Sequence, residues 1–169
     1  LDFSAWKRPA VRRCFADKTV AFLKDAAKVP AGGTVVVWGM KPFSGRLAPG
    51  TTIIRLEDGF LRSVGLGADL IRPMSWVVDH RGMYYDATRP SDLEQILAQT
   101  DFSPELVCRA AALRKRIVAQ GLTKYNIGAR QWQRPGGDKQ VLLVPGQVES
   151  DASLAYGAPG IRTNLDLLR

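Results

Sequence analysis

Short, wholly apolar runs alternate along this chain with longer stretches in which apolar residues recur at helical spacing. From Trp6 to Lys28 the apolar positions are Val11, Cys14, Phe15, Val20, Phe22 and Leu23, and they predict a helix that tolerates Pro9 near its first turn. VPAGG breaks the pattern, and TVVVWG then has the composition of a strand buried on both faces. A loop with Pro42, Gly45, Pro49 and Gly50 leads to a second strand, TTIIRLEDG. The stretch FLRSVGLGADLIRP is glycine-rich and irregular, while SWVVDHRGMYYDAT predicts two short strands about a turn at Arg81-Gly82.

Two helices follow with explicit start signals. Ser91 precedes Glu94 at capping-box spacing, and Ser103-Pro104 opens SPELVCRAAALRKRIVAQG, which Gly121 closes. LTKYNIGARQWQRPGGDKQ predicts a short helix and then a Pro/Gly-rich connection. VLLVPG predicts a new buried strand, and Thr163 with Asp166 begins another helix. Strands alternating with helices predict an α/β fold with a Rossmann-like, mostly parallel sheet. The breaks divide the chain into a domain over 1–133, a linker over 134–140, and a strand, loop and helix start over 141–169 that open a second α/β unit.

At 169 residues there is enough chain for one real core and too little for two ordinary domains. No apolar run reaches the ~20 residues of a membrane-spanning helix. Cys14 and Cys108 lie in helical patterns without metal-like spacing, so both are expected to be small buried apolar residues in a reducing compartment. A single histidine, His80, argues against a zinc enzyme of the usual kinds, and no metal ligand set is expected. The net charge of +8 calls for an anionic partner. Basic residues cluster in WKRPAVRR and RAAALRKR, and each reads first as the wet face of a helix. Neither a zinc finger nor an aromatic RNA-binding signature is present, so nucleic acid is not the expected partner.

In open α/β sheets, functional groups gather on loops at the carboxyl ends of strands. Three acidic sets fall there: Glu57-Asp58, Asp79, and Glu149 with Asp151. Asp58 before Gly59 also suits a plain turn. Glu57 and Asp58 are adjacent and cannot both point outward from a regular strand, so at least one needs a partner. Arg55, Arg62 and Arg72 can pair with these acids or hold an anionic sugar acid or phosphate in bidentate fashion. The GLG at 65–67 lacks the third glycine and the context of a dinucleotide fingerprint. Asp151 with Glu57 or Asp58 offers a carboxylate pair of the kind that divides nucleophile and acid/base work at a sugar.

Taken together, RLEDGFLRSVGLGADL, SWVVDHRGMYYDATRPSDLE, LTKYNIG and VLLVPGQVESDASLAYGAPGIRTNLDLLR resemble the KpsC/LipA-type capsule polysaccharide synthesis proteins. The likeness runs from about Trp38 to the end, and the last motif is more similar to the C-terminal of the two modules in such proteins. It implies a GT-B-like glycosyltransferase that moves β-Kdo, an eight-carbon sugar acid, from CMP-β-Kdo with retention and without a cofactor. The implied acceptor is a Kdo chain on a phosphatidylglycerol-type lipid. The implied setting is the cytoplasmic face of the inner membrane, beside capsule assembly and export proteins. By the same resemblance Asp151 is the nucleophile, Glu57 or Asp58 the acid/base, and Gln147, Glu149, Arg55 and Arg62 hold substrate. The family's nucleotide-binding half has no counterpart within these residues, so the chain is expected to be the acceptor-side half plus the start of the second domain, inactive by itself. Two other classes stay open: a non-enzymatic scaffold or export component, which would tolerate loss of Asp151, and a nucleotide-sugar epimerase, which would need no acceptor.

Overall fold

A computed structural model describes residues 1–128 and 132–169. Three strands form one sheet in the order β1 (Thr34–Trp38), β2 (Thr52–Asp58), β3 (Trp76–Asp79). β1 and β2 are parallel, pairing Thr34 with Thr52 through Trp38 with Leu56, so both carboxyl ends open on the same edge. β3 runs antiparallel to β2, pairing Asp58 with Trp76 and Arg55 with Asp79. The expected α/β sheet is therefore mixed, and Asp79 points away from the edge where Glu57 and Asp58 end.

Both faces of β1 are covered. Val35 and Val37 are buried with Val29, against Leu1, Leu23, Phe43, Leu47 and Ile53. On the other face Leu56 is buried with Phe3 and Val11, and Phe15, Val20, Phe22, Val36, Trp38 and Trp76 pack around them. Phe3 meets Phe22 and Trp38 edge-on at 6.5 and 6.3 Å, and Trp38 meets Trp76 at 5.7 Å. Each such pair contributes about 0.5–1.5 kcal/mol beyond the area it buries.

The expected helix over Trp6–Lys28 is cut to α1 (Arg8–Cys14), with Pro9 in its first turn. Geometry explains the cut. In a continuous helix Val20 would face about 180° away from Val11. The extended run after residue 18 instead brings Phe15, Val20 and Phe22 to the same core. Burial outweighs local helical periodicity here. Cys14 and Cys108 are free thiols as expected, but both are exposed, not buried.

After β3 no second strand forms. The Met83 carbonyl accepts from Asp86 N–H at 2.8 Å, and Asp86 Oδ1 accepts from the Thr88 N–H and hydroxyl at 3.0 and 2.6 Å. This Asx-type turn diverts the chain. Asp79 is buried and accepts from the backbone N–H of Arg81, Gly82 and Asp92, so it organises the turn and the start of α2 (Asp92–Gln99). The Ser91/Glu94 capping box and the Ser103 cap of α3 (Pro104–Ala119) form as predicted. Residues 122–128 are not helical; the rest of the short helix expected there falls partly on residues 129–131, outside the described residues.

VLLVPG is likewise not a buried strand. Leu142 and Leu143 are 77% and 89% exposed, because no strand among the described residues offers them backbone partners. Two short helices follow, α4 (Ala152–Gly157) and α5 (Asn164–Leu167), the second capped by Thr163 as predicted. α4 was not anticipated.

Candidate functional site

Strand period splits the acids at the end of β2. Leu56 and Asp58 share a face with Trp38, while Arg55 and Glu57 share the other. Asp58 Oδ2 pairs with Arg62 Nε at 2.7 Å; the arginine side chain is 1% exposed and the aspartate side chain 17%. Arg62 Nη1 also donates to Ser63 Oγ at 2.8 Å. The guanidinium lies so close to Gly67 that a Cβ there would sit 2.9 Å from Nη2. Arg62 is thus committed to holding its own loop, which leaves it poorly placed for the substrate-binding role expected of it.

That loop is clamped by the TKYN segment. Lys124 and Tyr125 carbonyls accept from the N–H groups of Arg62, Ser63 and Gly65. Asn126 Nδ2 donates to the Ser63 carbonyl at 2.9 Å. Two motifs 60 residues apart in sequence are one structural unit here.

Glu57 is the freer acid. Its Oε1 accepts from Asp58 N–H at 2.9 Å, and its Oε2 lies 3.4 Å from the Tyr85 hydroxyl. Tyr85 in turn accepts from Met40 N–H at 3.1 Å. Gly39 has φ +48°, and a Cβ there would meet the Tyr85 hydroxyl at 2.5 Å and Glu57 Oε2 at 2.7 Å, so the approach requires glycine. Burial, more than the neighbouring Asp58 charge, pushes the Glu57 carboxyl above its usual range. Arg55 is half-buried and donates from Nη1 to the Gly39 carbonyl at 2.6 Å, bracing the same turn.

The C-terminal acids reach this edge through α4. Tyr156 carbonyl accepts from Ala87 N–H at 3.0 Å, and Gly157 packs against the Tyr85 carbonyl. Asp151 caps α4, with Oδ1 accepting from Ser153 N–H at 2.8 Å. Tyr84 lies between the two groups: burial first, then the Glu57, Asp58 and Asp151 charges, push its phenol up to about 12. Tyr84 and Tyr85 stack edge-on at 5.3 Å. Glu149 and Gln147 fix the loop instead: Glu149 Oε1 accepts from Asn164 N–H at 2.8 Å, and Gln147 trades backbone bonds with the Asn164 amide at 2.9 Å. Gln147 Nε2 also reaches Ser153 Oγ at 3.3 Å.

The structure thus brings Glu57, Asp58 and Asp151 to one neighbourhood and leaves Asp79 out of it. Tyr84 and Tyr85 were missed, since YYD lies where a strand was predicted. Among the described residues no three His, Cys, Asp or Glu side chains are grouped to hold a metal, and no helix is long and apolar enough to cross a membrane.

Residues 34–127, which carry this strand-end network, match the sequence profile of the family described as capsule polysaccharide biosynthesis protein. The chain belongs to that family. It is 40% identical along its whole length to the capsule polysaccharide modification protein LipA of Neisseria meningitidis, of which it spans 25%. Among solved structures, it superposes on the Thermosulfurimonas dismutans KpsC β-Kdo 2,7 transferase with a TM-score of 0.72 and 34% identity, covering 99% of the chain and 54% of that protein. The likeness to the β-Kdo 2,4 transferase of the same organism has a TM-score of 0.54, again at 34% identity, over 72% of the chain and 40% of that protein. The chain therefore spans a quarter of LipA and about half of the solved 2,7 transferase. The fold of the chain is α/β and matches part of that GT-B-like structure.

Proposed function

We propose that the chain supplies the acceptor-side half of a retaining β-Kdo transferase of capsule biosynthesis, active in a polypeptide of the solved transferase's length. The donor is CMP-β-Kdo and the acceptor a lipid-linked Kdo chain at the inner-membrane surface. The greater coverage and TM-score against the 2,7 transferase favour 2,7 over 2,4 linkage. The observation that carries the reading is the docking of α4 on the Tyr84-Tyr85 turn, where the Asp151 charge acts on Tyr84 and the Tyr85 hydroxyl touches Glu57.

In this mechanism Asp151 attacks the anomeric carbon of the donor, CMP departs with the bonding electrons, and a glycosyl-aspartate forms with inversion. Glu57 then takes the proton of an acceptor hydroxyl as that oxygen displaces Asp151, and the second inversion restores the β configuration. A carboxyl raised by burial is the better base for this task, because its proton affinity lies closer to neutrality. Asp58, paired with Arg62, holds the strand end; Arg55, Gln147 and Glu149 hold the flanking turns.

The test is transfer from CMP-β-Kdo to a synthetic β-Kdo acceptor by a polypeptide of transferase length carrying this sequence, with mass analysis of the stalled enzyme. The expected result is a product of retained configuration, with a Kdo adduct on Asp151 when acceptor is withheld. Undiminished transfer by the Asp151→Asn variant would overturn the assignment. Restored capsule export without any transfer would point to a scaffold.

A further inference from the structure

Beside the same strand end, the N-terminal turn builds a pocket that the transfer chemistry above does not use. Lys7 ends a 3-10 turn over Ala5–Lys7, and its Nζ lies 3.1 Å from the centre of a Trp38 ring and 5.4 Å from that of Trp6. The turn roofs a cavity of about 290 Å³ walled by Trp6, Lys7, Trp38, Asp58, Arg62 and Tyr125. That volume lies just below the range of about 300–1,000 Å³ typical of drug-sized ligands, which suits a single sugar ring.

The charges in this cavity do not cancel. Arg62 is matched by Asp58 at 2.7 Å. Among the described residues Lys7 takes part in no ion pair and no side-chain hydrogen bond, and its ammonium lies on the Trp38 and Trp6 rings. An ammonium held on an aromatic face keeps N–H groups free for an anion. Burial pulls Lys7 down to about 8 despite the opposing Asp58 and Glu57 charges, as expected of a cation lacking a direct partner. Trp6 and Tyr125 add half-buried ring surfaces of the kind that pack against the C–H faces of sugars.

We propose that this pocket binds the terminal acidic sugar of the acceptor, with Lys7 pairing with its carboxylate and Trp6 and Tyr125 flanking its ring. This rests on the transferase reading, which puts the acceptor hydroxyl at Glu57. Glu57 leaves the strand end on the other face from Asp58, yet lies near enough for its charge to act on Lys7. Lys7 lies outside residues 34–127 of the family profile, so the pocket joins a peripheral segment to the family's strand-end network.

The test titrates the 169-residue chain with β-Kdo methyl glycoside and with its carboxyl-reduced counterpart, followed by tryptophan fluorescence. The acid is expected to saturate the signal, and the reduced sugar to bind about 10-fold more weakly, the scale of one charged hydrogen bond. Lys7→Met should weaken the acid by a similar factor and erase the difference between the two sugars, whereas Lys7→Arg should keep most of it. Binding of the acid should fall as pH rises past about 8, where Lys7 loses its charge. No saturation by the acid, or equal binding of both sugars by the unaltered chain, overturns the proposal.

Transfer kinetics separate this proposal from the reading beneath it. Lys7→Met should raise acceptor KM more than it lowers kcat. An active enzyme with unchanged acceptor KM in that variant sinks the pocket and leaves the transferase. Selective binding of the acid without any transfer sinks the transferase and leaves the pocket.

Discussion

The end of β2 and the segment from Val141 to Arg169 both carry carboxylates, yet they hold them by opposite means. At the strand end, a buried Arg62 is paired with a half-buried Asp58, and their loop is tied to residues about 60 positions away. In 141–169 the side chains are mostly exposed and the ties are short-range: Asp151 to Ser153, Thr163 to Asp166, Glu149 and Gln147 to Asn164. Charges in the first region are structural before they are chemical, because an unpaired buried charge is costly. Charges in the second can be altered with little effect on the fold. Substitutions should therefore separate stability from activity along this divide.

The sharpest break is Asp151→Asn. Asparagine caps a helix as well as aspartate does, so α4 should persist and the unfolding midpoint should stay put. Transfer, measured in a polypeptide of transferase length, should fall about 10⁴-fold or more, the scale of losing a nucleophile. A midpoint that drops together with activity would erase the contrast between the two regions.

Next in size is Arg62→Met, which leaves the half-buried Asp58 without its partner. The expected loss is about 3–5 kcal/mol of stability, read from urea denaturation. Adding Asp58→Asn in the same chain should recover part of that loss, because the two positions are coupled. Equal stability of the single and double variants would mean the pair is not held as described.

These contrasts also mark what the sequence discloses. The caps at Ser91, Ser103 and Thr163 are local signals, and each formed where its spacing placed it. β1 and β2 were readable because their apolar runs are short and bounded by glycine and proline. The reversal of β3 was not, since strand direction depends on pairing across the sheet and leaves no periodic trace. Tyr84 and Tyr85 were hidden by a β-like composition that the Asp86 turn overrides. Arg62 was visible as a charge, but its burial depends on a clamp supplied by Lys124 to Asn126. At α4 the signal was present and unread: Asp151 followed by ASLAYG is an N-cap followed by good helix formers.

A smaller effect sharpens the chemistry at the strand end. Burial raises the Glu57 carboxyl above its ordinary value, so the folded chain holds that proton more tightly than the unfolded chain does. Its contribution to stability is complete below the unfolded pKa and is lost as pH rises through the raised folded value. Glu57→Gln should therefore flatten this part of the stability profile as pH rises above the ordinary glutamate value of about 4, and should gain on the parent chain as it does so. Urea midpoints across that range test it. Parallel profiles for the two chains would mean that Glu57 is not desolvated by its place beside Tyr85 and Gly39.

The smallest expected effect isolates the cap from the chemistry of the same residue. Asp151→Ala removes the acceptor for Ser153 N–H, a loss of about 1 kcal/mol, or roughly fivefold in a local opening equilibrium. α4 has six residues and is joined to the rest through Tyr156 and Gly157, so the loss should stay local. Amide exchange at Ser153 should quicken about fivefold in Asp151→Ala and stay unchanged in Asp151→Asn, with the same urea midpoint for both. Both variants should be equally devoid of transfer despite that difference in α4, because catalysis needs the carboxylate and the helix needs only an acceptor. If the alanine variant instead lost the global fold, residues 141–169 would be bound into the core as tightly as the strand end.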